Sequence, residues 1–310
     1  MSNFATLKKS SGSLDRLAKE IAKINSPESE KGGDNRFWQP DVDKSGNGMA
    51  VIRFLPTTDA DGDSLPWVRV WTHGFKGPTG KWYIENSLTT LNQKDPVSEY
   101  NTVLWNASSD EGSPQRKQAR LQKRRLTYIS NIYVISDPKH PENEGKVFLF
   151  RYGKKIFDKI SEAMNPPFDE DGRSPEHPQY NPTNAFNPFD FWKGANFKLR
   201  IRNVDGYRNY DMSLFDGPSP LSNDDSKMEA VWNKQYTLKE FIDPSNFKSY
   251  DELKAKLENV LELKSEPKVV RSAPTEDVFA SASKRQSVSS DFDMDDDDDD
   301  LKAFRALADD

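Results

Sequence analysis

The sequence contains no cysteine and only three histidines among 310 residues. Without cysteine there is no disulfide framework and no thiolate metal site. The histidines, His73, His140 and His177, lie in no metal-binding or nucleophile motif, and no Gly-rich loop has the spacing of a phosphate site. No apolar run is long enough to span a bilayer, and the residues after Met1 form no apolar signal segment. These absences argue against an enzyme and a membrane protein, and they fit a reducing, cytoplasmic location.

The charges are distributed unevenly along the chain, whose formal net charge is −6. Residues 266–310 carry 13 acidic and 6 basic side chains, so residues 1–265 have a net charge of +1. Residues 295–300 are six consecutive aspartates, without the glycine and the spaced ligands of a calcium loop. The composition after residue 264 therefore predicts a disordered acidic tail over residues 265–310.

Between residues 123 and 160, cations and aromatic rings lie on the same two apolar segments, which are typical of paired strands. Residues 116–159 hold 12 Lys and Arg against 4 Asp and Glu. A hydrophobic core requires only the apolar residues. A surface that binds single-stranded nucleic acid also requires cations for the phosphates and aromatic rings for the bases. The alternative is a pair of ordinary hairpin strands with solvated Lys and Arg edges. Residues 197–210 repeat the combination of cations and rings.

Short alternating segments between turn residues predict strands near residues 50–55, 67–71, 81–85 and 197–204. Helical spacing of apolar residues predicts helices over residues 13–24, 154–164 and 250–263. The first of these is a short N-terminal arm, whose apolar stripe needs a surface in its own core or in a neighbouring copy. The sequence therefore predicts a mainly β fold with peripheral helices, of the α+β class.

A series of motifs, in order along the chain, resembles one family. The motifs are VIRFLP at residues 51–56, HGF at 73–75, GKWYIE at 80–85, PENEGKVF at 141–148, GKKI at 153–156 and GANF at 194–197. The chain is similar here to the single-stranded DNA-binding proteins of T-even-type phages, the helix-destabilising proteins of phage replication. The resemblance covers roughly residues 1–265, and the tail is similar in character.

The resemblance implies three parts. Residues 1–25 are expected to be an arm for cooperative binding between neighbouring copies, with the basic-hydroxyl motif at Lys8, Lys9, Ser10 and Ser11. Residues 26–264 are expected to form an OB-fold core with an adjoining subdomain at about residues 64–125, and single-stranded DNA in a basic cleft between them. The tail is expected to recruit phage replication and recombination proteins. The resemblance also implies a role in DNA replication, recombination and repair in the cytoplasm of the infected bacterial host.

The expected DNA contacts combine the two basic and aromatic clusters with the resemblance. Phosphate contacts are expected from Lys117, Arg120, Lys123, Arg124, Arg125, Arg151, Lys154, Lys155, Arg200 and Arg208. Base stacking is expected from Tyr83, Tyr128, Phe150, Tyr152, Tyr207 and Tyr210. Hydroxyl groups favour partial exposure of these tyrosines. Sequence preference is expected to be weak, because such contacts carry little base information.

One departure from the family concerns its subdomain, which normally holds a zinc ion with one histidine and three cysteines. In this chain the histidine position is His73, and the cysteine positions fall near Ser87, Asp95 and Ser98. Serine is a poor zinc ligand, and Asp with His cannot complete a tetrahedral structural site. We therefore predict no cofactor and no zinc, and a subdomain held by packing of Trp71, Trp82, Leu88 and Leu104.

Two other functions remain open on the sequence. One is an RNA-binding translational regulator that uses the same cleft, since nothing in the sequence reports on a 2′-hydroxyl. The other is a metal-dependent nucleic-acid-processing enzyme, which needs a cluster of carboxylates in the core. The concentrated acidic residues lie in the tail instead.

Overall fold

The computed structural model describes residues 34–166 and 185–263. The predicted N-terminal arm and the predicted acidic tail lie outside the described residues. In the part that is described, no helix is long and apolar enough to cross a bilayer.

The described residues form nine strands and five α-helices, with short 3-10 turns between some of them. The strands are β1 Phe37–Trp38, β2 Gly48–Phe54, β3 Val68–Lys76, β4 Trp82–Asn86, β5 Arg125–Ser136, β6 Val147–Tyr152, β7 Phe197–Val204, β8 Tyr207–Asn209 and β9 Leu214–Phe215. The helices are α1 Pro96–Asn106, α2 Pro114–Leu121, α3 Lys154–Met164, α4 Asp225–Trp232 and α5 Tyr250–Leu261. The predicted mainly β fold with peripheral helices is confirmed, and α3 and α5 lie where the apolar spacing predicts them.

The long strand β5 organises the sheet, because neighbouring strands pair with both of its edges. Tyr128 lies between Arg69 of β3 and Tyr152 of β6, both antiparallel to it. Farther along the same edge that β3 uses, Ile132 lies opposite Phe54 of β2. The strands β2 and β3 therefore follow one another along a single edge of β5.

The remaining strands extend the sheet in the order β1-β6-β5-β2-β7-β8, with β4 on β3 and β9 on β7. Only the β1–β6 pairing is parallel among the described pairings. Among the described residues β8 does not pair with β1, so the sheet is not shown to close into the barrel of an OB fold. The OB-fold assignment therefore stays a prediction.

The main hydrophobic core lies between one face of the sheet and α3. In this helix Ile156 and Ile160 recur at helical spacing and are buried against the sheet. The ring of Phe54 lies at the centre, with its centroid 5.6 Å from that of Tyr152 and 5.7 Å from that of Phe197. Burial of these large apolar side chains is the main favourable term in folding.

A second core lies where the β3–β4 hairpin continues beyond the start of β5. Thr72 is the last residue of β3 opposite β5, and the strand then runs on to Lys76 with only β4 beside it. Within this hairpin the rings of Phe75 and Tyr83 stack with their centroids 5.0 Å apart. Helix α5 covers them with Leu253, Leu257 and Val260. The C-terminal helix of the described chain is thus part of the hairpin's core.

Four of the five described α-helices begin at residues whose side chains accept hydrogen bonds from free backbone N–H groups, and α3, which follows Gly153, is the exception. At α5 the Ser249 hydroxyl accepts the Glu252 N–H while the Glu252 carboxylate accepts the Ser249 N–H, which forms a capping box. At α1 the cap is Asp95, followed by Pro96 in the first turn. Helix α1 was not predicted from the sequence, although this Asp-Pro pair is a signal for a helix start.

Candidate nucleic-acid interface

Seven of the predicted phosphate-binding cations lie at one end of the sheet. Strand β5 begins at this end, and because β6 is antiparallel to it, β6 ends there, with Tyr152 opposite Tyr128. Helix α2 ends just before β5, and α3 begins just after β6. We call this set the basic end: it consists of Lys117, Arg120, Lys123, Arg124, Arg125, Lys154 and Lys155.

The ring of Trp71 and the guanidinium of Arg124 stack at the basic end. The Arg124 guanidinium carbon lies 4.1 Å from the centroid of the Trp71 ring, and both side chains are half-buried. Burial lowers the pKa of Arg124, and the negative charge of Asp95 opposes that shift. Arginine keeps its charge despite such a shift. The pair therefore offers a fixed cation beside a partly accessible ring.

Helix α2 holds its two arginines in a network with Trp105 and Glu111. The guanidinium carbons of Arg116 and Arg120 lie 4.3 Å and 5.5 Å from the centroid of the Trp105 ring. Both side chains also pair with the Glu111 carboxylate. Lys154, on α3, pairs with Asp158 at 3.0 Å. A phosphate at the basic end would therefore compete with exposed carboxylates for Arg120 and Lys154, and such pairs are weak.

Arg69 is a cation near the basic end that the sequence analysis missed. It is exposed and lies directly opposite Tyr128, so it shares a face of the sheet with that residue and with Trp71. Alternation in the segment Val68–Trp71 was the signal for this, since residues two apart on a strand point to the same side.

Arg151 lies on the other face of the sheet from the Arg124–Trp71 pair. It is opposite Ile129, one residue along from the Tyr128–Tyr152 pair, so it points away from that pair. Its guanidinium carbon lies 4.3 Å from the centroid of the Phe37 ring. Arg151 therefore does not lie beside the Arg124–Trp71 pair.

A separate surface is formed on the outside of β7 and β8, which we call the hairpin face: Arg200, Arg202, Val204 and Tyr207. Phe197, Leu199 and Ile201 point into the main core, so the alternate residues of β7 point outward. Tyr207 is opposite Val204 and is 45% exposed. The hairpin face and the basic end are therefore different surfaces of the sheet.

Arg208 lies on the other side of the β7–β8 hairpin from Tyr207. It is half-buried, opposite Asn203. Its Nη1 atom is buried without a hydrogen-bond partner among the described residues.

Five of the six predicted stacking rings are core residues, each at most 6% exposed. They are Tyr83, Tyr128, Phe150, Tyr152 and Tyr210. The expectation of partial exposure is wrong for the four tyrosines among them, because these rings pack within the main core or, for Tyr83, within the second core. A role in base stacking at any of the five would require a core to open, and only Tyr207 keeps an exposed ring.

The contacts of the central rings show why they are covered. Tyr128 stacks on Phe157 of α3 with centroids 3.9 Å apart, while the Tyr152 hydroxyl and the Ser130 hydroxyl are 2.8 Å apart. Burial raises the pKa of Tyr152, which keeps the phenol neutral at physiological pH. Phe150 packs against Trp38 with centroids 5.4 Å apart.

The residues at the positions where the resemblance implies zinc ligands meet in a buried hydrogen-bond network around Asp95. Its Oδ1 atom accepts hydrogen bonds from the backbone N–H groups of Val97 and Ser98, both at 3.0 Å. Its Oδ2 atom accepts from the Ser87 hydroxyl at 2.9 Å and from the Leu88 N–H at 3.1 Å. Burial alone would raise the pKa of Asp95, but hydrogen bonds led by that of His73 outweigh it and hold the pKa well below its ordinary value.

His73 completes this network and is itself buried, being 1% exposed. Its Nε2 atom lies 3.1 Å from Oδ1 of Asp95, and its Nδ1 atom lies 3.0 Å from the carbonyl oxygen of Gln122. The Asn101 amide donates to the same carbonyl at 3.0 Å.

The side chains of His73, Ser87 and Asp95 do not fit as ligands of a structural zinc ion, which takes four N or S ligands at about 2.0–2.3 Å. The Asp95 carboxylate already accepts four hydrogen bonds from N–H and O–H groups, and the Ser87 oxygen is a neutral hydroxyl. The absence of zinc stays a prediction. Of the side chains predicted to hold this segment, Leu88 is in the second core, whereas Trp82 is exposed.

Comparisons with known proteins match this chain to DNA-binding proteins. The family described as gp32 DNA binding protein like matches residues 46–261. A single-stranded DNA-binding protein of Enterobacteria phage T4 is 37% identical over 253 residues, which cover 80% of this chain and 78% of that protein. The single-stranded DNA-binding protein of Enterobacteria phage T2 is 38% identical over 257 residues, with the same coverage of 80% and 78%.

Proposed function

Because this chain belongs to the gp32-like family of DNA-binding proteins, we propose that it binds single-stranded DNA at the basic end of its sheet. The observation that supports this location is the convergence of cations from α2, β5 and α3 on one end, beside the Arg124–Trp71 pair. No chemical step is part of the proposal, since the relatives are named for binding alone.

The chemistry of the basic end suits the backbone of a single strand. Lys and Arg side chains neutralise phosphates and release counterions, which makes affinity dependent on salt. The partly accessible ring of Trp71 offers a π-face that any base can use, and the exposed ring of Tyr207 offers another on the separate hairpin face. Phosphate and stacking contacts carry little sequence information, so the proposed binding has weak sequence preference.

Further parts of the proposal rest on the family and on charge. Arg151, Arg200, Tyr207 and Arg208 stay proposed contacts, made by other stretches of the strand than the one at the basic end. Lys8, Lys9, Ser10 and Ser11 are proposed to promote cooperative binding between neighbouring copies. The acidic residues 265–310 have the same sign of charge as DNA, so we propose that they compete for the basic end at low salt. We also propose that they recruit replication and recombination proteins in the infected host.

A competition experiment tests the proposed ligand. Full-length protein bound to labelled oligo-dT is challenged with unlabelled oligo-dT, with single-stranded RNA and with duplex DNA, all of equal length. We expect single-stranded DNA to compete at least about tenfold better than the duplex, because bases must be unstacked to reach aromatic rings. Equal competition by the duplex would contradict the proposal, and stronger competition by RNA would assign the basic end to RNA instead.

A further inference from the structure

The buried Asp95 carboxylate joins parts of the chain that are far apart in sequence. It connects β3 through His73, the turn after β4 through Ser87 and Leu88, and the first turn of α1 through its own cap. Through the other nitrogen of His73 it also reaches Gln122, in the link between α2 and β5. A structural metal ion joins chain segments in the same way, by giving each of them a ligand.

We propose that this hydrogen-bonded clasp, consisting of His73, Ser87 and Asp95, replaces a metal ion in this chain and holds the basic end in place. The side chains at this site suit a hydrogen-bond network better than they suit a metal site. Every partner of the Asp95 carboxylate in the network is an N–H or O–H group, and His73 faces an acceptor on each side.

The hydrogen-bond partners of the clasp show which of its atoms act as donors and which as acceptors. A carbonyl oxygen only accepts, so Nδ1 of His73 donates to Gln122. The Asp95 oxygen that faces Nε2 also accepts two backbone N–H groups. The Asp95 carboxylate is thus a buried charge whose hydrogen-bonding sites are filled by N–H and O–H groups, which is the condition under which a buried charge is stable. Removing that charge would weaken the acceptor that these groups share.

The clasp bears on DNA binding through Gln122. This residue directly precedes Lys123 and Arg124, and its carbonyl is held by His73 and by Asn101 of α1. The Asp95 charge also acts on Arg124, which stacks on Trp71. The clasp therefore fixes the backbone from which two cations of the basic end project. This last step rests on the proposed function, whereas the replacement of the metal does not.

The test compares full-length wild type with Asp95→Asn, which keeps the shape of the side chain and removes its charge. The matched control is Asp61→Asn. Asp61 is 1% exposed and accepts hydrogen bonds from Thr237, Leu238 and Lys239, next to Leu238 in the small core on the other face of β3 and β5. Both changes remove a buried, hydrogen-bonded carboxylate, but only one of them touches the clasp.

The first readout is thermal unfolding with and without a strong chelator, together with the zinc content of the purified protein. We expect less than one zinc per ten chains, on the order of a trace contaminant, and no change in melting temperature on chelation. We expect Asp95→Asn to melt about 10 °C lower than wild type. One bound zinc per chain, or a melting temperature that falls on chelation, would overturn the clasp as a metal replacement.

The second readout is the salt dependence of oligo-dT binding, which a purely structural role would not change in the folded protein. The slope of log affinity against log salt is negative. We expect its magnitude to be smaller by about 1 in Asp95→Asn and unchanged in Asp61→Asn. If Asp95→Asn does not fold, Ser87→Ala, which removes a single donor, takes its place with a smaller change of the same sign. An unchanged slope in the clasp variant would overturn its role at the basic end. If wild type does not bind oligo-dT, the proposed function fails while the first readout still decides the clasp.

Discussion

At the scale of single residues, aromatic side chains show where sequence reasoning stops. Alternation divides the residues of a strand between two faces, and only the register shows that Tyr128 and Tyr152 lie on the same face. It does not say what covers that face. The cover is Phe157 of α3, a contact between segments that only the folded chain brings together. A tyrosine on a basic strand is therefore equally compatible with a core position and with an exposed ring, and the structure places Tyr128 in the core.

Two substitutions separate these roles. We expect Tyr128→Ala to lower the free energy of unfolding by about 3–5 kcal/mol, because it leaves a cavity under α3. We expect Tyr207→Ala to change that free energy by less than about 0.5 kcal/mol and to weaken oligo-dT binding by about 1–3 kcal/mol. Urea unfolding and binding titrations measure both quantities. A stable Tyr128→Ala protein would place this ring outside the core, and normal affinity in Tyr207→Ala would remove Tyr207 from the interface.

At the scale of elements, the strands with clear alternation and the helices α3 and α5 were predictable from the sequence. The partners of β5 were not, since β2 and β3 share one of its edges through contacts distant in the chain. Nor was the association of α5 with the β3–β4 hairpin, because an apolar stripe does not identify the surface that covers it. The basic end depends instead on the β5–β6 pairing, whose two apolar segments were predicted as paired strands.

The packing of α5 on the hairpin depends on a glycine. A Cβ atom at Gly77 would lie 2.0 Å from the carbonyl oxygen of Val260, so the turn and the helix touch directly. We expect Gly77→Ala to lower the free energy of unfolding by about 1–3 kcal/mol or more, because one of the two segments must move. Gly217→Ala is the control, since a Cβ there meets nothing within 4 Å. Equal stability of the two variants in urea unfolding would show that α5 does not pack closely on this turn.

At the scale of the whole molecule, charge and family point to the same function. The net charge of −6 is the sum of +1 on residues 1–265 and −7 on residues 266–310, which is the division that the resemblance implies. The family is confirmed by the match over residues 46–261. The resemblance alone did not show that the residues at the zinc-ligand positions form a hydrogen-bond network. That network required the side-chain contacts of Asp95, which sequence patterns do not contain.

The most direct test of the basic end is the salt dependence of oligo-dT affinity in a charge-removal variant. The double variant Lys123→Gln and Arg124→Gln is compared with Lys139→Gln and Lys146→Gln, which removes two exposed cations beyond the opposite end of β5. Each phosphate contact on a single strand contributes about 0.7 to the slope of log affinity against log salt, so we predict a slope smaller by about 1.4 in the first variant. We predict no change in the second. Equal slopes in wild type and the first variant, with both folded, would contradict the assignment of the basic end as the DNA-binding site.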